Sequence, residues 1–456
     1  VADVQLGKML DKTKNKGTPT AYLRNINVRW GAFDLSDVFE MRMTADDRQA
    51  FAIRDGDVMV CEGGEPGRAA VWRSGANQIG FQKALMRVRP ADGIESDFLA
   101  LYLRHFADAG GLEDHLTGTT IKHLPQNALR ALPLPIPPSA EQRRIVAKLD
   151  TLTARTAQAR ADLDRIPALT ARYKAGVLAA AFRGELTADW RLTAAATMTQ
   201  KSRTDRIDGR AAVLDDLPQG WCWMAVADVA AVTGGLTKNS KRDRTPVRTP
   251  YLRVANVYAN ELRLDEVLEI GCTEAELTKT RLKSGDLLVV EGNGSIDQIG
   301  RVAIWGDQVP NCSHQNHLIR VRVHDAVVPS FALYWLLSPA GRSAIERVAS
   351  SSSGLHTLSV SKVAGLPIPL CDRAEQEQII DLICKAFAEI DRLAAEASAA
   401  RRLLDRLDQA ILAKAFRGEL VPQDPADEPA SALLERIRAE RAVTPAARRG
   451  RKPKLK

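Results

Sequence analysis

Two long stretches of the chain carry apolar residues at alternating steps of four and three. The first runs through Ile145, Leu149, Leu152, Thr156, Ala159, Leu163, Ile166, Thr170, Tyr173 and Val177. The second runs through Ile379, Ile383, Ala386, Ile390, Leu393, Ala397, Ala400, Leu404, Leu407 and Ile411. Such spacing gathers the apolar side chains on one helix face, which must be covered by a partner helix. Ser139 with Gln142 and Asp372 with Glu375 have capping-box spacing at the two starts. Gly184 and Gly418 supply the left-handed residue at which a helix stops cheaply. Pro167 predicts a kink in the first helix, because proline has no backbone donor. Ahead of each helix stand short β-type runs, "DVMVCE", "AAVW" and "ALMRVRP", then "DLLVVE", "VAIW" and "HLIRVRV". Helical pieces follow them, Asp97 to Ala107 and Ser330 to Ser338. Strands and helices without regular βαβ alternation predict an α+β globule ahead of each helix.

The halves are copies of one another. "AFRGEL" occurs at Ala181 to Leu186 and again at Ala415 to Leu420, 234 residues on. "AEQ" at Ala140 and Ala374 keeps that offset, as do "LPLPIPP" from Leu132 and "LPIPLCD" from Leu366. The offset drifts to 233 for "GRAAVW" and "GRVAIW", and to 229 for "YLRNINV" and "YLRVANV" or "GDVMVCEGG" and "GDLLVVEGN". That drift places an insertion of about four residues near Asn293 to Gln298, in a loop. The chain then divides into a globule 1–138, a helical region 139–186, a linker 187–216, a second globule 217–371, a second helical region 372–420 and a final segment 421–456. Each heptad stripe finds its simplest partner in the other copy; heptads alone leave the relative direction open. A helix of ~40 residues spans about 60 Å, enough to bridge major-groove half-sites ~34 Å apart.

Composition narrows the function classes. A chain of 456 residues is long enough for two to four domains. The net charge is +8, but the last 13 residues hold six cations and no acid, leaving the remainder at +2. The tail reads as a disordered basic arm with non-specific attraction for phosphates. Six scattered cysteines without CxxC pairing, no apolar run of ~20 residues and no signal-peptide pattern predict a reducing cytoplasm. Phosphate-loop, dinucleotide, zinc-protease and nucleophile-elbow motifs are absent from the sequence, as is an Asn-Pro-Pro or Asp-Pro-Pro run. Cys312, His314 and His317 form the nearest metal-like cluster, but no second cluster completes a tetrahedral site. Glu62 and Glu291 recur once per copy, which favours a structural hydrogen bond in each globule over paired acid–base chemistry. The chain reads as a binder with no metal and no catalytic residue.

With the duplicated "LPIPP-x-AEQ-x-x-I" lead-in (Leu134 to Ile145, Leu366 to Ile379), the helices ending in "AFRGEL", "LPQGW" (Leu217 to Trp221) and the closing "ARRGRKP", the chain resembles the specificity subunit of type I restriction–modification enzymes along nearly its whole length. The resemblance implies two target-recognition domains, each reading half of a bipartite DNA sequence. It implies that the two helical regions form an antiparallel coiled coil that acts as a ruler, with pseudo-two-fold symmetry. It also implies two docked methyltransferase subunits that hold S-adenosylmethionine, with no cofactor on this chain, and restriction subunits in the full complex. The first copy lacks the "LP-x-GW" opening; its "VADV" (Val1 to Val4) aligns with "VADV" at Val226 to Val229, which leaves the first globule's leading edge open.

Sequence readout needs Arg or Lys at guanine and Asn or Gln at adenine, and two half-sites call for loops that differ between the copies. In the first globule the candidates are Lys12, Lys14, Asn15, Lys16, Arg24, Asn25, Asn27, Thr119, Thr120, Lys122 and His123. In the second they are Lys238, Asn239, Ser240, Lys241, Arg242, Arg253, Asn293, Ser295, Gln298, Gln315 and Asn316. Arg24 and Arg253 belong to a shared "YLR" and are expected to touch backbone or serve structure rather than read a base. Two rivals stand beside this reading: a self-contained methyltransferase or nuclease, which would act on DNA without a partner, and a coiled-coil scaffold, which would bind no duplex.

Overall fold

The computed structural model describes residues 1–443 apart from positions 12, 14, 74, 76–78, 195–215, 246, 294 and 353–354. The basic tail, most of the linker, Lys12 and Lys14 lie outside the described residues, as do the side chains of Lys241 and Asn293. Two compact units divide the chain, one of Val1–Asp164 with Ser398–Lys456 and the other of Arg165–Ala397. Each unit therefore draws on both helical regions.

In the first unit a four-stranded antiparallel sheet has the order Ala2–Leu6, Leu85–Pro90, Val58–Cys61, Ala69–Val71. Val58-Met59-Val60-Cys61 is apolar throughout because both faces of its strand are covered. Val58 and Val60 pack with Leu99 and Leu103 of the helix Ser96–Asp108, whereas Met59 and Cys61 pack with Leu23, Trp72 and Phe81. Alternate residues of a strand point to opposite faces, so one run serves two core clusters. A smaller sheet, Phe39–Met43, Thr18–Leu23 and Gly80–Phe81, includes a parallel pairing of Tyr22 with Gly80.

The second unit repeats this plan. Ala230–Gly234, Leu318–Val323, Leu287–Val290 and Val302–Ile304 form its main sheet. Leu268–Cys272, Val247–Leu252 and Ser313–His314 form the smaller one. The repeated "GD" has a physical basis in both units. Gly56 and Gly285 have φ of 82° and 91°, and the aspartate after each is buried. Asp57 accepts from Arg89 Nε at 2.7 Å and from the Arg54 backbone N–H at 2.7 Å; Asp286 accepts from Arg322 Nε at 2.6 Å and the Lys283 N–H at 2.8 Å. One alignment is overturned. Val1 to Val4 enters a strand, but Val226–Val229 is a single helical turn, and the counterpart of Ala2–Leu6 is Ala230–Gly234.

The first heptad region is two helices, Ser139–Asp164 and Ile166–Phe182, with the break at Arg165. Pro167 sits in the first turn of the second, where its missing N–H costs nothing. The second region is a continuous helix, Arg373–Phe416. Gly184 and Gly418 end their helices at φ 74°, as expected. Within the first unit the two regions run antiparallel. Ile145 and Leu149 pack with Leu412 and Ala415, Arg160 bonds Asp405 (2.9 Å) and Asp408 (2.6 Å), and Arg401 bonds Asp164 (2.9 Å). Within the second unit the direction is the same: Leu178 and Phe182 meet Ile379 and Ile383, and Lys174 bonds Asp391 at 2.6 Å.

Leu152, Leu163, Ile166, Ile390, Leu404 and Ile411 are half-buried, as their stripe requires. Three heptad positions are not core. Tyr173 is 66 % exposed, Leu393 51 % and Leu407 46 %. The covered face follows Ile379, Ile390, Arg401 and Leu412, an 11-residue spacing. A straight helix drifts ~20° per heptad, so two heptads beyond Ile379 the stripe has moved off Leu393. Charged pairs fill the middle of the seam and fix its register. We expect Arg160→Ala to lower the first unit's stability by about 1 kcal/mol or less, read by urea unfolding, because Asp405 stays largely in water.

At Ser139 the expected capping box gives way to tertiary bonds, with the Ser139 hydroxyl donating to Gly93 O, and a glutamine clamp stands at each helix start. Gln142 accepts the Glu95 backbone N–H at 2.9 Å and donates to Pro137 O at 2.9 Å. Gln376 accepts the Val328 N–H at 2.9 Å and donates to Ala326 O and Cys371 O, each at 3.0 Å. The glutamine of each "AEQ" thus satisfies the backbone groups where helix meets globule. Its two amide ends supply both a donor and an acceptor.

Candidate nucleic-acid interface

Beyond the sheets, three loops of the first unit converge on Gly63 and Gly64. Asn25 Nδ2 donates to Gly63 O at 3.4 Å, and Arg68 Nη2 donates to Asn25 O at 2.9 Å. Gly63 also bridges His123, which exchanges two backbone bonds of 2.8 Å with Thr117. A Cβ on Gly63 would come within 2.9 Å of His123 Nδ1, and one on Gly64 within 2.9 Å of Asn25 Nδ2. The glycines let the Asn25 and His123 loops close together. Thr119, Thr120 and Lys122 stand exposed in the turn between Thr117 and His123, beside Ile121, which is 64 % exposed.

The second unit builds the same place differently. The Leu358 N–H donates to Glu291 O at 2.7 Å, as the Leu124 N–H does to Glu62 O at 2.7 Å. Here, however, Gly292–Asn293 joins a three-stranded sheet with Leu355–Thr357 and Ser350–Ser352. Thr357 pairs with Gly292 and takes the position of His123, and His356, one residue earlier, pairs with Asn293. Neither His356 nor the serine strand was among the candidates. The offset here is 234, as in the helical regions, and it pairs Lys122, which was a candidate, with His356.

Several candidates prove to be structural. Asn27 is 1 % exposed. It accepts from the Arg24 N–H at 2.8 Å and donates to Asp34 O and Asp37 O at 2.9 and 3.0 Å. It folds its own loop and is not free to read a base. Arg242 is likewise spent on Glu276 (3.0 Å) and Gly271 O (3.0 Å). Arg24 pairs with Asp37 at 2.6 Å and lies 3.7 Å over the Phe39 ring; Arg253 pairs with Glu266 at 3.5 Å. Lys16, Lys238, Asn239, Ser240 and Ser295 are exposed, whereas Asn15, Gln298, Gln315 and Asn316 are half-buried. Asn15 donates to Met9 O at 3.3 Å. Asn27→Ala should destabilise the first unit by about 2–3 kcal/mol, because it orphans buried backbone groups; a thermal melt reads the loss.

Glu291 forms a hydrogen bond of 2.9 Å with His317 Nδ1. His314 lies apart from that pair, fully buried, with Nδ1 3.1 Å from Thr280 O. Burial, aided by Arg320, holds its pKa down at about 4, and burial pushes the Cys312 thiol up to about 12. Among the described residues no group of His, Cys, Asp and Glu could hold a metal ion, and no helix is long and apolar enough to cross a membrane.

A mixed-sheet module is present twice, each copy packed with an antiparallel helix pair and carrying different polar loops on a shared frame. The family model "Type I restriction modification DNA specificity domain" matches residues 46–167. The chain is 28 % identical over 444 residues to the EcoKI specificity subunit of Escherichia coli K12, covering 94 % of this chain and 90 % of that one. It is 28 % identical over 447 residues to the StySPI specificity subunit of Salmonella potsdam, with the same coverage of 94 % and 90 %. The HsdS subunit of Thermoanaerobacter tengcongensis shares its fold with a TM-score of 0.56 at 20 % identity, covering 91 % of this chain and 94 % of that one. A chain from a type I R-M system solved to show complex assembly and conformational transition reaches a TM-score of 0.63 at 20 % identity, covering 92 % and 98 %. Along nearly its whole length the chain is similar to specificity subunits of type I restriction enzymes. Both relatives are named as specificity subunits.

Proposed function

We propose that this chain reads a bipartite, asymmetric DNA sequence, one half with each unit, and that the paired helices act as the ruler between the halves. The observation that carries the reading is the loop cluster around Gly63 and its counterpart around Gly292. The frame is the same in both, but the side chains presented differ, as two unlike half-sites require. Thr119, Thr120, Lys122 and His123 are the first unit's candidates for base contact, with Lys16 on phosphate. In the second unit the candidates are Lys238, Asn239, Ser240, Ser295 and His356. The helix pairs and their "FRGEL" ends serve as docking sites for two methyltransferase subunits, which bring S-adenosylmethionine; restriction subunits join the complete assembly.

The test is a map of modified bases in DNA from an unmethylated host expressing this chain with the methyltransferase encoded beside it, against the methyltransferase alone. A two-part motif modified only when this chain is present is the expected result. Modification indifferent to the chain overturns the reading and leaves the scaffold.

A further inference from the structure

The turn between Thr117 and His123 carries one side chain unlike the polar ones around it. Ile121 is 64 % exposed, and no large apolar side chain described between residues 1 and 138 is more so. A single exposed apolar residue needs no explanation by itself. The way this one is held out does. Thr117 and His123 exchange two backbone bonds of 2.8 Å, so the residues between them close a tight loop. Gly118 has φ 94°, and a Cβ there would collide with Ile121 O. The chain then returns to the frame at the buried Leu124. Ile121 therefore stands on a short loop pinned at both ends, with Thr119, Thr120 and Lys122 exposed beside it. The loop lies past the Cys61–Leu85 end of the main sheet, and the Ala2–Pro90 pair lies at the opposite end.

The second copy repeats the feature. The Leu358 N–H bonds Glu291 O as the Leu124 N–H bonds Glu62 O, each at 2.7 Å, so the two loops are in register at an offset of 234. Three residues before that bond the first copy has Ile121 and the second Leu355. Their neighbours change in kind, Lys122 to His356 and Thr120 to Gly354. A branched apolar residue thus recurs at one position of two loops that otherwise differ. In the major groove the base feature open to an apolar side chain is the 5-methyl group of thymine; hydroxyls and cations read the polar edges.

We propose that Ile121 is a specificity-determining residue that packs on the 5-methyl group of a thymine in the half-site read by the first unit. Its neighbours Thr120 and Lys122 supply the hydroxyl and the cation for the polar edges beside that methyl group. The inference rests on the DNA reading above and adds to it the one base feature that no polar candidate reads.

The experiment uses the full chain in complex with the methyltransferase encoded beside it, titrated by anisotropy against fluorescein-labelled duplexes that carry the mapped motif. Each thymine of the motif, on both strands, is replaced in turn by deoxyuridine, which removes only the methyl group. One such replacement is expected to weaken binding by about fourfold, the worth of one buried methyl group. In Ile121→Ala the same position should lose its preference for thymine over uracil, while any uracil penalty in the other half-site stays as it was. The absence of any uracil penalty in the parent complex would overturn the proposal, as would a full set of penalties that persists in Ile121→Ala. The uracil series on the parent complex needs no variant to fold. A complex that prefers no duplex sequence would overturn the DNA reading itself, an outcome distinct from sequence-specific binding that ignores the methyl group.

Discussion

Glu375→Ala is expected to destabilise the second unit by about 3–5 kcal/mol, the cost of removing one member of a buried charged network. Glu375 is 4 % exposed and accepts from Trp221 Nε1, Thr187 Oγ1 and Arg191 Nη1 at 2.6–2.9 Å. Its position in the first turn of Arg373–Phe416 adds a favourable helix dipole. The alanine leaves a buried indole N–H, a buried hydroxyl and a guanidinium without their acceptor. Urea unfolding of the full chain reads the effect as an early transition of one unit, so a single two-state fit does not apply. Glu375→Gln keeps one acceptor oxygen and should fall between.

The same substitution at the other copy should behave in the opposite way. Glu141 is as deeply buried as Glu375, and burial raises its carboxyl above the usual range. A carboxyl raised in the folded state favours folding when protonated, and that contribution is lost as pH rises through its folded value. At neutral pH Glu141→Gln therefore removes a penalty and should leave the first unit's stability unchanged or increased. Opposite signs at two positions of one repeat would show that burial and donors decide the outcome, not the shared "AEQ". Equal losses at both would mean that Glu141 has a donor in solution.

The contrast also shows what could be read from the sequence. The strands Val58–Cys61 and Leu287–Val290, the helix stops at Gly184 and Gly418 and the pairing of the two helical regions were all legible, because period, turn chemistry and repetition are local signals. Register over a long helix was not, since an 11-residue spacing and a heptad diverge only after two turns of the pattern; Leu393 and Leu407 fell on the wrong side. Loop polarity misled at Asn27 and Arg242, where polar side chains fold the loop that carries them. Their partners, Asp34 O, Asp37 O and Glu276, are set by loop closure and leave no periodic trace. The division of each unit between distant stretches of chain was hidden for a similar reason, since contacts such as Arg160 to Asp408 span 248 residues.

Acidification should unfold the second unit through His314. The imidazole is buried in the strand Ser313–His314, with Nδ1 at Thr280 O and the Arg320 guanidinium disfavouring a second positive charge. Asp286 opposes this electrostatically but is outweighed by burial, which holds the pKa at about 4 against an ordinary 6.5. A histidine depressed in the folded state takes its proton in the unfolded chain first. Stability is therefore intact above about pH 6.5 and declines as pH falls toward 4, by about 3 kcal/mol at the lower end. His314→Gln keeps a donor for Thr280 O but cannot titrate. The urea midpoint of the second unit should fall between pH 7 and pH 4 in the parent chain by more than in the variant, with the difference centred on His314. Parallel pH profiles for the two would assign the acid sensitivity to carboxylates instead. That alternative has its own signature, since carboxylate losses begin below about pH 5, whereas the histidine acts from pH 6.5 downward.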